Sequence, residues 1–219
     1  MPRALFEKTG KAIYISHRDL MRVFQRAFKR AGLPLTHTQG YNPRPSVSIA
    51  LPLSLGVESK CELLDFDLSG EYISCEEIKK RLNENLIEGV TVLQVFEEKT
   101  KLKHLALLES LITLEYDAGV PENAVKKITA LLCAEEVLVE KKGKNGIVEQ
   151  NIASMIRRFD VERISDQELQ IRILACCQNP TLNPMLVGAA VEKYLPECKP
   201  DFVRCQRQEI YDENETVFR

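Results

Sequence analysis

Apolar positions in the first half of the chain change between the two-residue repeat of a strand and the three-to-four-residue repeat of a helix. These changes predict a strand, a helix, two strands, a helix and a strand, with an extra N-terminal hairpin. The predicted segments are 3–8 and 11–15 for the hairpin, 16–31 for the first helix, 46–51 and 61–68 for the two strands, 74–86 for the second helix and 90–96 for the last strand. This order is typical of a ferredoxin-like α+β sandwich.

The second half follows the same logic after a charged segment at 97–104, which we interpret as a linker. The predicted elements are strands at 111–117, 137–140, 168–175 and 202–211, helices opening at Pro121 and Asn183, a hairpin tip at 141–146 and a short helical or irregular segment up to Asp160. The economical interpretation is two tandem ferredoxin-like α/β sandwich units with mainly antiparallel sheets. They occupy 1–98 and 105–219, with an insertion at 147–166.

The helix predicted at 16–31 has two unlike sides. Ser16 is a suitable N-cap, Asp19 three residues later completes a capping-box pattern with Asp in place of Glu, and Gly32 ends the helix. The side away from the apolar stripe carries Arg18, Arg22, Arg26, Lys29 and Arg30. One interpretation of this basic side is an ordinary helix surface exposed to solvent. Acids are almost absent from it, however, whereas an ordinary surface helix mixes both signs of charge.

Charge is unevenly distributed along the chain. Residues 1–60 carry ten Lys/Arg against three Asp/Glu, and residues 61–219 carry 20 against 29. The formal net charge of -2 therefore combines a positive head of +7 with a negative body of -9. This asymmetry indicates a surface that faces a polyanion, usually nucleic acid or a phosphate ligand.

A polar segment at 36–45 follows the basic helix. Gly40 permits a tight turn, and two prolines stiffen the exit. The candidate binding residues of this segment are His37, Gln39, Tyr41, Asn42 and Arg44. Amides and a guanidinium offer hydrogen bonds to bases and phosphates, and a tyrosine ring can stack on a base. Alternatively, these polar side chains satisfy the backbone of their own loop.

Recognised catalytic and cofactor motifs are absent from the sequence. It contains no phosphate-binding Gly-rich motif and no Gly-x-Ser-x-Gly elbow. Three scattered histidines and seven cysteines without Cys-x-x-Cys spacing predict no metal site, no cofactor and no disulfide framework. The cysteines fit small buried side chains in a reducing cytoplasm, and no triplet is present that would hold a radical-SAM iron–sulfur cluster. No apolar run is long enough to span a membrane.

Two smaller groups of residues have competing interpretations. His17 and Asp19 are two positions apart and do not share one helical face, so a relay between them is geometrically poor. His17 is then a solvent-facing residue of the capping turn, a ligand contact, or a general base working with a distant group such as His37. Asp65 and Asp67 lie on the same side of a predicted strand, where an exposed acidic face is a simpler interpretation than a cation site.

Five ordered segments carry a resemblance to a known family. They are Phe-Glu-Lys-Thr-Gly at 6–10, Ile-Ser-His-Arg-Asp-Leu-Met-Arg at 15–22, Arg-Ala-Phe-Lys-Arg-Ala-Gly-Leu-Pro at 26–34, Gln-Gly-Tyr-Asn-Pro at 39–43 and Leu-Pro-Leu-Ser-Leu-Gly-Val-Glu-Ser at 51–59. In these segments the chain resembles the radical-SAM-linked family of bacterial proteins. The second half resembles that family only in the order of its strands and helices and in Asn183-Pro184.

In that family the domain occurs alone or fused behind a cobalamin-binding radical SAM enzyme, often near genes for RNA processing and ribosomal proteins. The resemblance therefore implies a radical SAM partner and an RNA-related setting, and it implies no reaction. The family often has a histidine after Asn-Pro, where this chain has Arg44. A cationic contact at that position is compatible with the exchange, whereas an essential imidazole is not.

These observations favour a non-catalytic, cytoplasmic accessory protein of a radical SAM enzyme. It would bind RNA, a tRNA or rRNA segment, or another phosphorylated ligand, through its basic N-terminal unit. One alternative is an enzyme acting on RNA or a nucleotide with His17 and His37 as acid and base, which requires both imidazoles to reach one cleft. Another is a docking module whose basic helix binds an acidic face of the partner enzyme or of a second copy of the chain.

Overall fold

The computed structural model describes residues 1–143 and 146–219. This part of the chain has a mixed α+β fold with antiparallel strand pairing and four α-helices. It divides into two compact units, one comprising residues 1–104 with Arg219 and the other residues 105–218. None of the described helices is long and apolar enough to cross a membrane.

Strands and helices alternate in the first unit. The elements are β1 (Pro2–Lys8), a 3₁₀-helix (Gly10–Tyr14), α1 (His17–Arg30), β2 (Val47–Ile49), β3 (Val57–Phe66), α2 (Cys75–Asn83), β4 (Val90–Glu97) and a 3₁₀-turn (Leu102–His104). The strands lie in the order β4-β1-β3-β2, and every neighbouring pair is antiparallel. Strand β1 therefore lies inside the sheet, between β4 and β3.

The strand predicted at 11–15 is wrong, because this segment forms the 3₁₀-helix Gly10–Tyr14. Both edges of β1 are already paired, one with β3 and the other with β4. No edge of β1 is left for the second arm of a hairpin. The segment instead turns at Gly10, whose φ is 56°, and the buried ammonium of Lys8 donates hydrogen bonds to the carbonyls of Ile13 and Ile15.

Helix α1 forms where the apolar stripe and the cap predicted it. Its buried residues are Leu20, Phe24, Ala27 and Phe28. The ring of Phe24 meets that of Phe6 on β1 edge-on at 4.8 Å, and the ring of Phe28 lies 4.9 Å from that of Phe66 on β3. Aromatic pairs in these geometries add to the hydrophobic gain of burial. They hold the inner side of α1 on the strands, so its basic side faces outward.

Asp65 does not form part of an exposed acidic face. It is 6% exposed, and its carboxylate accepts hydrogen bonds of 2.6 and 3.0 Å from the guanidinium of Arg3, which is fully buried. The same guanidinium donates to the carbonyl of Thr100 at 2.9 Å. Asp67 accepts a hydrogen bond of 2.9 Å from the hydroxyl of Thr36. Both acids thus have internal partners. The prediction of an exposed acidic face is wrong for Asp65, which is buried against Arg3.

The second unit has the same alternation with a hairpin inserted in it. Its elements are β5 (Leu105–Glu115), α3 (Ala124–Leu132), β6 (Leu138–Gly143), β7 (Gly146–Asn151), a 3₁₀-helix (Ala153–Met155), β8 (Ile156–Arg163), β9 (Glu168–Cys176), α4 (Met185–Tyr194), a 3₁₀-helix (Pro196–Cys198) and β10 (Phe202–Asp212). Four strands lie in the order β10-β5-β9-β8, all antiparallel. The other two, β6 and β7, pair with each other in a separate two-stranded sheet.

The short helical or irregular segment predicted up to Asp160 is correct only for the 3₁₀-helix Ala153–Met155. Residues 146–163 form β7, one turn of 3₁₀-helix and β8. Strand β8 pairs with β9 and turns Phe159 and Val161 inward between exposed charged residues, but Arg157 and Arg158 interrupt this alternation where the register with β9 shifts. Lys144 and Asn145 of the predicted hairpin tip lie outside the described residues.

Candidate functional site

The N-terminus of α1 is fixed by one small hydrogen-bonded group. The hydroxyl of Ser16 accepts a hydrogen bond of 3.1 Å from the backbone N–H of Asp19 and donates one of 2.7 Å to its carboxylate. That carboxylate also accepts a bond of 2.8 Å from Arg22. The hydrogen bond from Ser16, followed by that from Arg22, lowers the pKa of Asp19. Asp19, the single acid of the helix, therefore has its partners, Ser16 and Arg22, at the N-terminal end of α1.

Four cations of α1 lie on one side of the helix. At 3.6 residues per turn, Arg18, Arg22, Arg26 and Lys29 fall within an arc of about 80°, away from the buried stripe. We call these four residues the basic stripe. Over residues 1–143 and 146–219, Arg22 is the one member in an ion pair, with Asp19. The stripe thus presents three cations without a carboxylate partner in the described structure.

Arg30 does not belong to this stripe. It lies about 40° beyond Arg26 on the helix, and its guanidinium donates a hydrogen bond to the backbone carbonyl of Asn85, just beyond α2. The guanidinium is therefore directed toward the end of α2. The structure brings together four of the five basic residues that the sequence singled out on this helix.

A closed base supports the polar loop, residues 36–45. The backbone N–H of Thr38 donates to the carbonyl of Arg44 at 2.8 Å, and the N–H of Arg44 donates to the Thr38 hydroxyl at 3.1 Å. Below this pair, His37 and Pro45 form an isolated antiparallel bridge, and Thr36 is tied to Asp67. The two arms of the loop are consequently held side by side, and the tip projects from them.

The side chains at the loop tip point to solvent. Tyr41 is fully exposed, and Gln39, Asn42 and Arg44 are exposed as well. None of these four side chains forms a hydrogen bond to another described residue, whereas the hydroxyl of Thr38 does bond the loop's own backbone. The alternative in which the polar side chains satisfy their own loop therefore applies to Thr38 and to none of these four.

A pocket of about 360 Å³ lies between α1 and the polar loop. Its apolar lining comes from Phe28, Leu33, Pro34, Leu35 and Pro45. Three polar side chains complete it, namely Gln25 and Lys29 from α1 and His37 from the loop. We call this the α1–loop pocket. Lys29 belongs to both the basic stripe and the pocket, so the two features form one continuous surface.

His17 lies away from this pocket. It is the first residue of α1, and Gln25 follows eight positions later, about 12 Å along the helix axis at 1.5 Å per residue. His17 is half-buried, and its Nδ1 has no hydrogen-bond partner in the described part of the chain. Because His17 does not line the α1–loop pocket and His37 does, the two imidazoles do not share it.

Sequence reasoning missed Gln25 and Leu35, both of which line the pocket. Gln25 lies four positions before Lys29, so helical spacing alone would have placed it beside that residue. Leu35 has no comparable signal. Its position depends on how the chain leaves α1 and pairs with Leu68, a long-range bridge that no local pattern reveals.

No metal centre is evident in the described residues, and two of the buried thiols are poor nucleophiles. They contain no group of three His, Cys, Asp or Glu side chains arranged to hold a metal ion. All seven cysteines are free. Burial raises the pKa of Cys177 and of Cys205 to about 12, so these thiols stay protonated and are poor nucleophiles at neutral pH.

The arginines of the second unit are arranged differently. Arg172 donates to Glu109 at 2.8 Å, and Arg204 donates to Glu168 at 2.9 Å. Arg163 likewise pairs with Asp166 at 2.9 Å. These pairs neutralise arginines on the strands of this unit, in contrast to the basic stripe of α1.

Fold and site together define a two-unit antiparallel α+β protein with a basic helix beside an open polar loop. Residues 2–184 match the model of a bacterial family described as "Uncharacterized protein conserved in bacteria (DUF2344)", and the chain belongs to that family. Among curated proteins, none matches the chain. The link to a radical SAM enzyme stays a prediction.

Two solved structures share the fold. One is described as "Crystal Structure of a Cbf5-Nop10-Gar1 Complex" and matches with a TM-score of 0.53 at 10% identity, covering 97% of this chain and 50% of that chain. The other is "Structure of H/ACA RNP bound to a substrate RNA containing 2'-deoxyuridine", with a TM-score of 0.51 at 10% identity and coverage of 99% and 50%. This chain therefore spans half the length of each of these two chains. At such low identity the likeness concerns the fold alone.

Proposed function

We propose that this protein is a non-catalytic RNA-binding accessory protein built from two tandem ferredoxin-like units. The strand orders β4-β1-β3-β2 and β10-β5-β9-β8 support this description of the units. In each set of four strands, one helix lies between the first and second strands along the chain and another between the third and fourth. One observation carries the RNA-binding proposal. Three cations of the basic stripe have no carboxylate partner in the described structure, and they lie on the same surface as the pocket beside the polar loop.

The basic stripe binds the phosphates of the RNA in this proposal. From Arg18 to Lys29 it extends about 16 Å along α1 at 1.5 Å per residue. At the 3.4 Å per-strand spacing of double-stranded DNA, taken as a guide to scale, that length corresponds to about four or five nucleotides. Guanidinium groups suit this role because they can donate two parallel hydrogen bonds to one phosphate.

The polar loop gives local selectivity in this proposal. Gln39 and Asn42 offer amide donors and acceptors to base edges, Tyr41 offers a ring for stacking, and Arg44 adds a cation. The closed base of the loop holds the tip in place before binding. A pre-organised loop loses less conformational entropy than a mobile one when it contacts a ligand.

The structural comparisons support the class of ligand. One of the two structures that share the fold is described as an RNP bound to a substrate RNA. The proposal transfers only this class of ligand, because the matched chains are twice as long and only 10% identical. A radical SAM enzyme as partner is proposed from the resemblance of the N-terminal segments to the radical-SAM-linked family.

Filter binding of bulk tRNA across a salt series tests the proposal. If the three stripe cations without a carboxylate partner each neutralise one phosphate, the plot of log affinity against log salt has a slope of about -2 to -3, and each Ala substitution at Arg26 or Lys29 makes it shallower by about 0.7–0.9. Lys80→Ala is the matched control, because Lys80 is an exposed lysine on α2 of the same unit. Absent binding, or binding that does not change with salt, would refute the proposal.

The docking alternative has a separate test. Reversing Arg22 and Arg26 to glutamate and then isolating the radical SAM partner, with and without nuclease, separates the two roles. RNA binding predicts that nuclease reduces recovery of any partner held through RNA. If the reversal abolishes recovery of the partner while the unchanged protein shows no affinity for RNA, the basic stripe is a protein-docking surface.

A further inference from the structure

We propose that the α1–loop pocket holds one unpaired nucleobase of the bound RNA, so that the protein prefers single-stranded RNA to a duplex. This inference rests on the proposed RNA-binding function and names which form of RNA the site selects. It assigns a role to Gln25, His37 and Leu35, which the phosphate-binding stripe alone does not use.

The size and lining of the pocket fit a single planar ring. Its volume of about 360 Å³ is near the lower end of the range for small-ligand sites, about 300–1,000 Å³. Pro34, Leu35 and Pro45 form the accessible part of the apolar wall, because Phe28 and Leu33 are 0% and 1% exposed. An apolar slot of this kind accepts the face of a base, which has few polar atoms.

The polar groups of the pocket fit the edge of a base. Gln25 supplies one amide acceptor and two donors, and His37 supplies a ring donor and acceptor when neutral. Neither side chain forms a hydrogen bond to another residue in the described ranges, and both line the pocket. They are therefore available to the Watson–Crick edge that an unpaired base exposes and a duplex conceals.

The surrounding charge identifies the occupant as a nucleotide and not an apolar peptide or lipid tail. Lys29 lines the pocket, and Arg26 lies three positions before it on the basic stripe. Arg44 lies on the loop directly before Pro45, which forms part of the opposite wall. A base attached to a phosphodiester backbone uses both the apolar slot and these cations. A purely apolar ligand would leave the cations without a partner.

Tyr41 extends this surface. Its side chain is fully exposed at the tip of the same loop. Beside a basic surface, an exposed ring is a platform on which a neighbouring base can stack. We therefore expect the base next to the pocket nucleotide to stack on Tyr41.

Two measurements test the inference. The first is the fluorescence of a short single-stranded oligoribonucleotide that carries one 2-aminopurine. The second compares the affinities of the protein for the same strand, for its duplex and for a version of the strand with an abasic site. The single strand should bind roughly tenfold more tightly than the duplex or the abasic strand, the effect of one stacked base. The fluorescence of the probe base should change on binding.

Leu35→Trp fills the pocket at a half-exposed position, and Gln25→Ala removes part of its polar edge without adding bulk. Each should reduce the preference for the single strand while leaving duplex affinity and the salt slope unchanged. Arg26→Ala is the contrasting variant, because it should weaken binding to both forms equally. Circular dichroism confirms that each variant is folded.

These experiments distinguish failure of the base pocket from failure of the proposed RNA-binding function. Salt-dependent RNA binding with no preference for the single strand, or a preference that survives both pocket variants, overturns the base pocket and leaves the proposed function intact. The base pocket is likewise overturned if Leu35→Trp weakens single-strand and duplex binding equally. If the unchanged protein shows no salt-dependent binding to any of the three RNAs, the proposed function itself is wrong and the base pocket falls with it.

Discussion

Replacing Asp65 with asparagine should destabilise the first unit far more than the loss of an ordinary surface charge. The side chains of Arg3 and Asp65 are 0% and 7% exposed, and two hydrogen bonds of 2.6 and 3.0 Å join them. Asparagine keeps the shape of the aspartate and removes its charge. The buried guanidinium of Arg3 then loses its closest anionic partner.

The magnitude follows from what remains around Arg3. Removing one member of a buried ion pair typically costs about 3–5 kcal/mol, because the other charge stays desolvated. Here Arg3 still donates to the Thr100 carbonyl at 2.9 Å and to Glu98, which is 31% exposed, at 3.3 Å. We therefore expect a loss near the lower limit, about 3 kcal/mol of unfolding free energy.

Glu77→Gln is the matched control. Glu77 pairs with Arg81 on α2 at 2.6 Å, with both side chains more than a third exposed, so solvent screens the pair and its loss should change the unfolding free energy little. Urea unfolding followed by far-ultraviolet circular dichroism measures both variants, and amide exchange on β1 and β3 assigns the change to the first unit. A loss below about 1 kcal/mol for Asp65→Asn, or one equal to that of the control, would show that water or a rearranged partner solvates Arg3.

Three further predictions concern stability. Ser16→Ala should cost about 1 kcal/mol by removing the N-cap of α1, and unchanged urea unfolding would contradict it. Gly89→Ala should destabilise far more than Gly70→Ala in thermal unfolding; both have positive φ, but a Cβ at Gly89 would clash with the backbone oxygen of Thr9, whereas a Cβ at Gly70 would have no atom within 4 Å. Burial alone raises the pKa of Glu109, but its bonds from arginine and tyrosine outweigh this and lower it. The stabilisation from Glu109 is therefore complete above the usual carboxyl pKa and is lost as the pH falls through the lowered pKa of Glu109. The difference in melting temperature between the unchanged protein and Glu109→Gln should disappear in acid, and a difference that does not depend on pH would refute this.

Helix α1 could be predicted from the sequence because its determinants are local. The Ser16 cap, the apolar stripe and the stop at Gly32 each lie within a few residues of the feature they control. The basic stripe is likewise a local property, since positions 18, 22, 26 and 29 adjoin one another on any helix. The direction of Arg30 is not local, because its partner is the carbonyl of Asn85.

Strand assignments failed where pairing, and not pattern, decides the structure. Residues 11–15 have a strand-like sequence but no free edge of β1 to pair with. The alternation along β8 is interrupted by the two consecutive charged residues Arg157 and Arg158, where its register with β9 shifts, so the strand gives only a short signal in the sequence. The α1–loop pocket was missed for a related reason: the segments at 25–29, 33–37 and 45 approach each other only after the chain has folded.

Pairing also explains why net charge is an incomplete guide to the binding surface. The count of ten cations in residues 1–60 includes Arg3 and Lys8, which are fully buried and bond internal groups. The second unit carries arginines as well, but Arg172 and Arg204 lie against carboxylates on neighbouring strands. Since a paired cation has little attraction left for a phosphate, the surface available to a polyanion is set by which cations lack a partner. On α1 those cations also border an apolar pocket, and this combination, more than the charge itself, favours a nucleotide as the ligand.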